Sequence, residues 1–293
     1  MESQGHSSGS PRGFGSTVPP SEQSSVGVGP NTFGSMSCDP VRYWNVVGAS
    51  VRGTSHVRNE TACQDAHRWT HLADGTLIAA VADGAGSARY GEIGATVASR
   101  TCVEAIVAAR AIATAPWSDG VWRTTIIDSI KACTAAVQAE AHARRVTVRD
   151  LATTLLIVVA TNDAVYAAQI GDGAVVVDLG NELLAVTGPK GGEYLNETTF
   201  IVSPDAMEQV QFQAWHGEAA HIGMFSDGLQ MLALNMPAAT PYPPFFAPLF
   251  GFISRLGDNE MEAKAQLTQF LGSPRITERT DDDLTLLLAA RKR

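Results

Sequence analysis

The chain lacks the features that would place it in several large classes. Among its 293 residues there are only four cysteines, Cys38, Cys63, Cys102 and Cys133, and none stands in a Cys-x-x-Cys or other paired spacing. That argues against a disulfide framework and for free thiols in a reducing compartment. Positive charge is short: 21 Lys and Arg stand against 30 Asp and Glu, a formal net charge of −9. A phosphate backbone demands clustered cations, so no nucleic-acid partner is expected. No apolar run reaches the length of a membrane-spanning helix, and the N-terminus lacks the basic-then-apolar order of a signal peptide. Neither membrane nor export is therefore expected, and the cytoplasm is the default. No internal repeat is evident, and the seven histidines are scattered.

Residues 1–40 are rich in Ser, Gly and Pro with almost no apolar periodicity. Such a segment cannot offset its ordering entropy, so a disordered tail is expected there, with one globular domain over residues 41–293. That domain opens on a period of two, with Val41, Tyr43, Val47, Ala49 and Val51 on one side of a strand. Residues 53–65, GTSHVRNETACQD, are polar and are expected to form an exposed loop. Two strands joined at Ala73-Asp74-Gly75 follow, then two amphipathic helices. The second carries Ile126, Ile130, Cys133 and Val137 on one face, which makes Cys133 a packing residue.

From residue 153 the pattern returns to strands. Turns at Thr161-Asn162-Asp163, Gly171-Asp172-Gly173 and Gly180-Asn181 predict an antiparallel meander. Further strands are expected at residues 198–202, 210–215, 221–225 and 284–289. Residues 237–248 contain five prolines, and Phe245, Phe246, Phe250 and Phe252 there suit either a docking surface or a helix packed on the domain. The order of elements describes an α+β layered domain.

Three carboxylate clusters close or open apolar strands: Asp83-Gly84 after residues 77–82, Ser226-Asp227-Gly228, and Asp281-Asp282-Asp283 before residues 284–289. Aspartates converging on one place repel unless cations lie between them. Oxygen-only donors suit Mg²⁺ or Mn²⁺, and the near absence of His and Cys from these clusters argues against zinc. Two such ions can activate a water and clamp a phosphoryl group. His56 and Arg58 are the nearby cationic candidates for the phosphate.

The order GTSHVRN, CQDA, VADGAGS, ATTLLIVVA, QIGDG, MFSDGL and DDDLTLLL resembles the metal-dependent Ser/Thr protein phosphatases of type 2C, the PPM family, in a divergent bacterial branch. The resemblance implies a four-layer α-β-β-α sandwich with two mostly antiparallel sheets. It implies two Mn²⁺ or Mg²⁺ ions, with a third in reach, and hydrolysis of phosphoserine and phosphothreonine in proteins by a hydroxide bridging the metals. Carried over, Asp83 bridges both ions, the Gly84 carbonyl ligates the second, and Asp227 and Asp282 hold the first. Asp172 joins Asp227 at a third, weaker site, and Asp65 orients water from outside the ions' direct contacts. A phosphoprotein substrate, an opposing Ser/Thr kinase and a monomeric enzyme are the implied partners and state.

Three positions depart from that pattern. Gln64 stands where many members carry Glu, which makes one charged ligand a neutral amide. Ala85 replaces the His proposed as general acid, and His56 replaces the phosphate-binding Arg, with Arg58 as the fallback. They open a second reading, a pseudophosphatase that binds phosphoproteins without turnover. A third, a phosphatase with a nucleophilic aspartate, needs an Asp-x-Asp motif opening a Rossmann-like domain, and Asp281-Asp282-Asp283 lies at the wrong end of the chain. Glu193, Tyr194 and Asn196 are expected beside the cleft. Cys63 is a small loop residue rather than a redox switch.

Overall fold

The computed structural model describes residues 44–113, 117–189, 198–256 and 259–292. The tail expected over residues 1–40 lies outside the described residues, as do Glu193, Tyr194 and Asn196. The first half runs β1 (Trp44–Val51), α1 (Thr54–Arg58), β2 (Asp65–His71), β3 (Leu77–Asp83), α2 (Gly91–Ala111) and α3 (Asp119–Arg144). After a 3-10 turn at Val148–Leu151 come β4 (Leu155–Ala160), β5 (Ala164–Ile170), β6 (Ala174–Asp178), β7 (Leu183–Thr187), β8 (Gln211–His216) and β9 (His221–Phe225). A second 3-10 turn at Asp227–Leu229 leads into α4 (Gln230–Ala233), β10 (Leu234–Asn235) and β11 (Thr240–Pro241). The chain closes with α5 (Pro243–Ser254), α6 (Glu260–Leu271), α7 (Pro274–Thr277) and β12 (Leu284–Arg291).

Two five-stranded sheets result, in the orders β1-β12-β9-β6-β7 and β2-β3-β4-β5-β8, with every neighbouring pair antiparallel. The central strands are apolar on both faces because both faces are covered. In β3, Ile78, Ala80 and Ala82 meet the core formed with α2 and α3, whereas Leu77, Ala79 and Val81 meet the other sheet. In β12, Leu284, Leu286, Leu288 and Ala290 pack toward α5 and α6, while Leu287 and Ala289 point between the sheets. The layers are thus α-β-β-α, as the sequence resemblance implies.

Three local expectations are corrected. β5 and β6 do not pair: β5 belongs to one sheet and β6 to the other, so Gly171-Asp172-Gly173 carries the chain across the sandwich rather than round a hairpin. Gly171 makes the crossing at φ +109°, where a Cβ would lie 2.5 Å from Thr154 Cγ2. Residues 198–202 form no strand. Phe200 and Val202 instead pack over Ala85, Ala88 and Ala152, and the Ile201 amide bonds the Thr153 carbonyl at 2.9 Å. Within residues 53–65, α1 forms and Gly53, Gln64 and Asp65 are buried, so the segment is only partly the exposed loop expected. The aromatic run resolves into the helix α5, with Phe245, Phe246 and Phe250 buried against the first sheet's outer face.

Candidate metal centre

One end of the sandwich collects the carboxylates, because strand ends from both sheets meet there. Asp83 ends β3 and faces Asp65 across the β2–β3 pair. Asp227 follows β9, and the pairing of Ala174 with Phe225 brings the sheet crossing, and with it Asp172, alongside. Carboxylate oxygens of Asp83, Asp172 and Asp227 lie within 4.8 Å of one another. Asp282 sits at the entry to β12, and its Oδ1 accepts the Asp283 amide at 2.8 Å. It falls outside that closest group, yet its charge acts on both Asp83 and Asp227.

Burial and mutual repulsion dominate the electrostatics. Asp83 is pushed well above the usual carboxylate range, first by burial and then by the charges of Asp65, Asp227 and Asp282. Burial, then Asp172 and Asp282, pushes Asp227 up to about 6. Burial also pushes Asp65 up to about 7, against hydrogen bonding by Ser226 and Thr285. Asp282, exposed at its surface, is still raised by partial desolvation among its neighbours and by the charge of Asp283, with the Asp283 amide opposing. Burial and the charges of Asp65 and Asp283 likewise push the Cys63 thiol up, which disfavours its thiolate.

Several oxygens here are buried without a hydrogen-bond partner among the described residues: Asp227 Oδ1, Asp65 Oδ1 and Gln64 Oε1. Native interiors rarely tolerate such atoms unless an unseen group satisfies them. A hard divalent cation answers both the orphaned oxygens and the raised pKa values, so the donor set fits Mg²⁺ or Mn²⁺. Gly84 lies directly after Asp83, with its amide on the Gln64 carbonyl at 3.0 Å. A Cβ there would come 2.4 Å from the Gly91 backbone, so only glycine lets the loop close over the site. Asp172 is steadied by Thr198, whose hydroxyl donates to Oδ2 at 2.7 Å, and its carbonyl accepts from Gln230 Nε2.

The phosphate candidates are placed less centrally. His56 Nδ1 lies 2.9 Å from Asp283 Oδ2, a charge contact rather than an aligned hydrogen bond. Arg58 is 67% exposed and pairs with the equally exposed Asp281 at 3.1 Å. Neither contacts Asp83, Asp172 or Asp227 among the described residues.

Sequence reasoning missed the residues that hold the site together. Asp283 is 2% exposed and accepts the amides of Gly53 at 2.6 Å and Gln64 at 2.5 Å. Ser226 donates to Asp65 Oδ2 at 2.7 Å and accepts the Thr285 amide at 3.0 Å. The only available signal was their adjacency to Asp282 and Asp227. Asp283→Ala leaves two amides and His56 without their partner, and removing one member of such a buried charged set costs about 3–5 kcal/mol. Urea denaturation will read that loss, and a change under about 1 kcal/mol would contradict the role assigned to Asp283.

Comparison with known proteins agrees with this geometry. A family model described as protein phosphatase 2C matches residues 52–272. Serine/threonine-protein phosphatase 3 of Escherichia coli K12 is 38% identical over 251 residues, spanning 84% of this chain and 98% of that protein. Solved structures share the fold at lower identity. The Pseudomonas aeruginosa type VI secretion regulator PppA matches at 18% identity with TM-score 0.57, over 86% of this chain and 99% of that one. The catalytic domain of the serine/threonine phosphatase PstP, solved with two manganese ions, matches at 15% identity with TM-score 0.56, over 86% and 100%.

Proposed function

This chain belongs to the protein phosphatase 2C family, and from that premise we propose that it hydrolyses phosphoserine and phosphothreonine esters in proteins with divalent cations held by the carboxylates at the sandwich end. It is a serine/threonine protein phosphatase. The observation that carries this reading is the meeting of Asp83, Asp172 and Asp227 oxygens within 4.8 Å, beside buried oxygens with no other partner.

Asp83 would serve as a ligand to both ions, with Asp227 and Asp282 for the first and the Gly84 carbonyl and Gln64 for the second. Asp172 with Asp227 offers a third position. When bound, such ions lower the pKa of water and neutralise charge on the phosphoryl oxygens. The protein's own part is to hold that geometry. Asp65, fixed by Ser226, orients water at the rim of the set, and Asp283 anchors the Gln64 end of the cradle. Water attacks phosphorus in line, the bond to the serine or threonine oxygen breaks, and the leaving oxygen takes up, through solvent, a proton equivalent to the one the attacking water gives up. Ala85 supplies no acid for this last step. His56 is an imidazole close enough to Asp282 to act on its charge.

Mn²⁺ and Mg²⁺ both suit an all-oxygen donor set, and a monomer in the cytoplasm opposed by a Ser/Thr kinase is the setting this activity implies. Among the described residues no helix is long and apolar enough to cross a membrane. The test is phosphate release from a phosphoserine peptide. Turnover in Mn²⁺ that disappears in EDTA and returns on re-addition of Mn²⁺ is expected; turnover unaffected by EDTA, or none in Mn²⁺, would contradict the reading.

A further inference from the structure

Two arginines with no role in the chemistry above, Arg89 and Arg149, lie on a pair of backbone segments that continue from the Asp83-Gly84 turn. Residues 84–90 run antiparallel to residues 149–153. The Ala85 amide bonds the Ala152 carbonyl at 2.9 Å, the Tyr90 amide bonds the Asp150 carbonyl at 2.8 Å, and Gly84 pairs with Thr153. Arg89 and Arg149 flank that Tyr90–Asp150 bond, and both are exposed. The strip adjoins the site directly: Gln64 Nε2 donates to the carbonyl of Ala88, the residue before Arg89, at 3.2 Å.

The arginines are not consumed by ion pairs. Neither forms one among the described residues, although Arg110, Lys131 and Arg144 all do. The adjacent carboxylate, Asp150, feels the Arg89 charge but is hydrogen-bonded back onto its own loop, accepting the Thr147 amide at 2.9 Å and the Thr147 hydroxyl at 2.6 Å. The Arg89 guanidinium is steadied over the Tyr90 ring, 5.0 Å from its centroid. A local pair of exposed arginines, next in the backbone to the Gln64 end of the site and on a chain of net charge −9, is a place where acidic segments are held and elsewhere repelled.

We propose that Arg89 and Arg149 bind acidic residues flanking the phosphorylated side chain, so that the preferred substrates are phosphoproteins whose phosphoserine or phosphothreonine lies among Asp and Glu. This rests on the phosphatase reading for its substrate class but not for its binding site. The probes are two labelled peptides carrying a non-hydrolysable phosphonate in place of phosphoserine, one flanked by Asp and Glu and the other by Asn and Gln. Binding to the full chain in Mn²⁺ is followed by fluorescence anisotropy.

Two exposed charge contacts predict roughly fivefold tighter binding of the acidic peptide at low salt. In the Arg89→Gln, Arg149→Gln double variant the ratio falls to about one. In wild type it collapses the same way in about 0.5 M NaCl, where screening acts over only a few ångström. A ratio near one in wild type, or one unchanged in the double variant, overturns the proposal. Turnover of ordinary phosphoserine peptides in the same wild-type sample separates the two ideas. Turnover without acidic preference refutes only the arginine strip, whereas acidic preference without turnover refutes the phosphatase reading and leaves the strip standing.

Discussion

Asp83→Asn is expected to abolish Mn²⁺-dependent phosphate release, with kcat falling by more than about a hundredfold, while the metal-free variant is expected to melt at a higher temperature than the metal-free wild type. The two effects have one cause. Even partners outside a metal's direct contacts cost about 10–100-fold when removed, and Asp83 is the carboxylate on which the charges of Asp65, Asp227 and Asp282 all act. Without cations that crowding opposes folding, so an isosteric amide relieves it. With cations the same crowding becomes the binding site, and the amide gives it up. Activity assays and thermal melts on one preparation check both halves. A variant that loses activity and also melts lower without metal would make Asp83 a structural residue instead.

Metal-free protein is expected to lose stability as pH rises from about 4 to about 7, the reverse of ordinary carboxylate behaviour. Asp227 is raised from 3.8 to about 6 and Asp65 from 3.8 to about 7. The folded state therefore holds protons that the unfolded chain has released. The stability they contribute is complete below the unfolded value and is lost as pH climbs through the folded one. For Asp227 the loss is on the order of 3 kcal/mol. The Asp65 contribution does not simply add, because these groups titrate together. Asp74, Asp119 and Asp150, whose pKa values are lowered, work in the opposite direction. Comparing wild type with Asp227→Asn isolates the central carboxylates from them. Saturating Mn²⁺ at pH 7.5 restores about 2.7 kcal/mol once its concentration reaches a hundred times Kd. A wild-type curve that rises over this window relative to Asp227→Asn would show that the carboxylates are not crowded.

Much of this was legible in the chain. The unbroken run Leu77–Ala82 announces a strand covered on both faces, and the four-three-four spacing of Ile126, Ile130, Cys133 and Val137 announces a buried helix face; all of these are buried. Asp83 and Asp227 stand out because each ends such a strand. What was not legible depends on partners distant in the chain. Gly171-Asp172-Gly173 has hairpin chemistry, and nothing local says that the next strand joins the other sheet. Residues 198–202 are as apolar as a strand, but they serve as a cover for Ala85, Ala88 and Ala152. Of three consecutive aspartates only Asp283 is buried, because β12 starts at Leu284 and turns its neighbour toward the amides of Gly53 and Gln64. Periodicity within Asp281–Asp283 cannot choose among them.

The most direct test is crystallographic. Crystals grown in Mn²⁺, with anomalous differences collected at the manganese edge, are expected to show two peaks about 4 Å apart, one within coordination distance of both Asp83 and Asp227 and the other beside Asp83 and the Gly84 carbonyl. Strong manganese peaks elsewhere, with none in reach of the Asp83 carboxylate, would contradict the account.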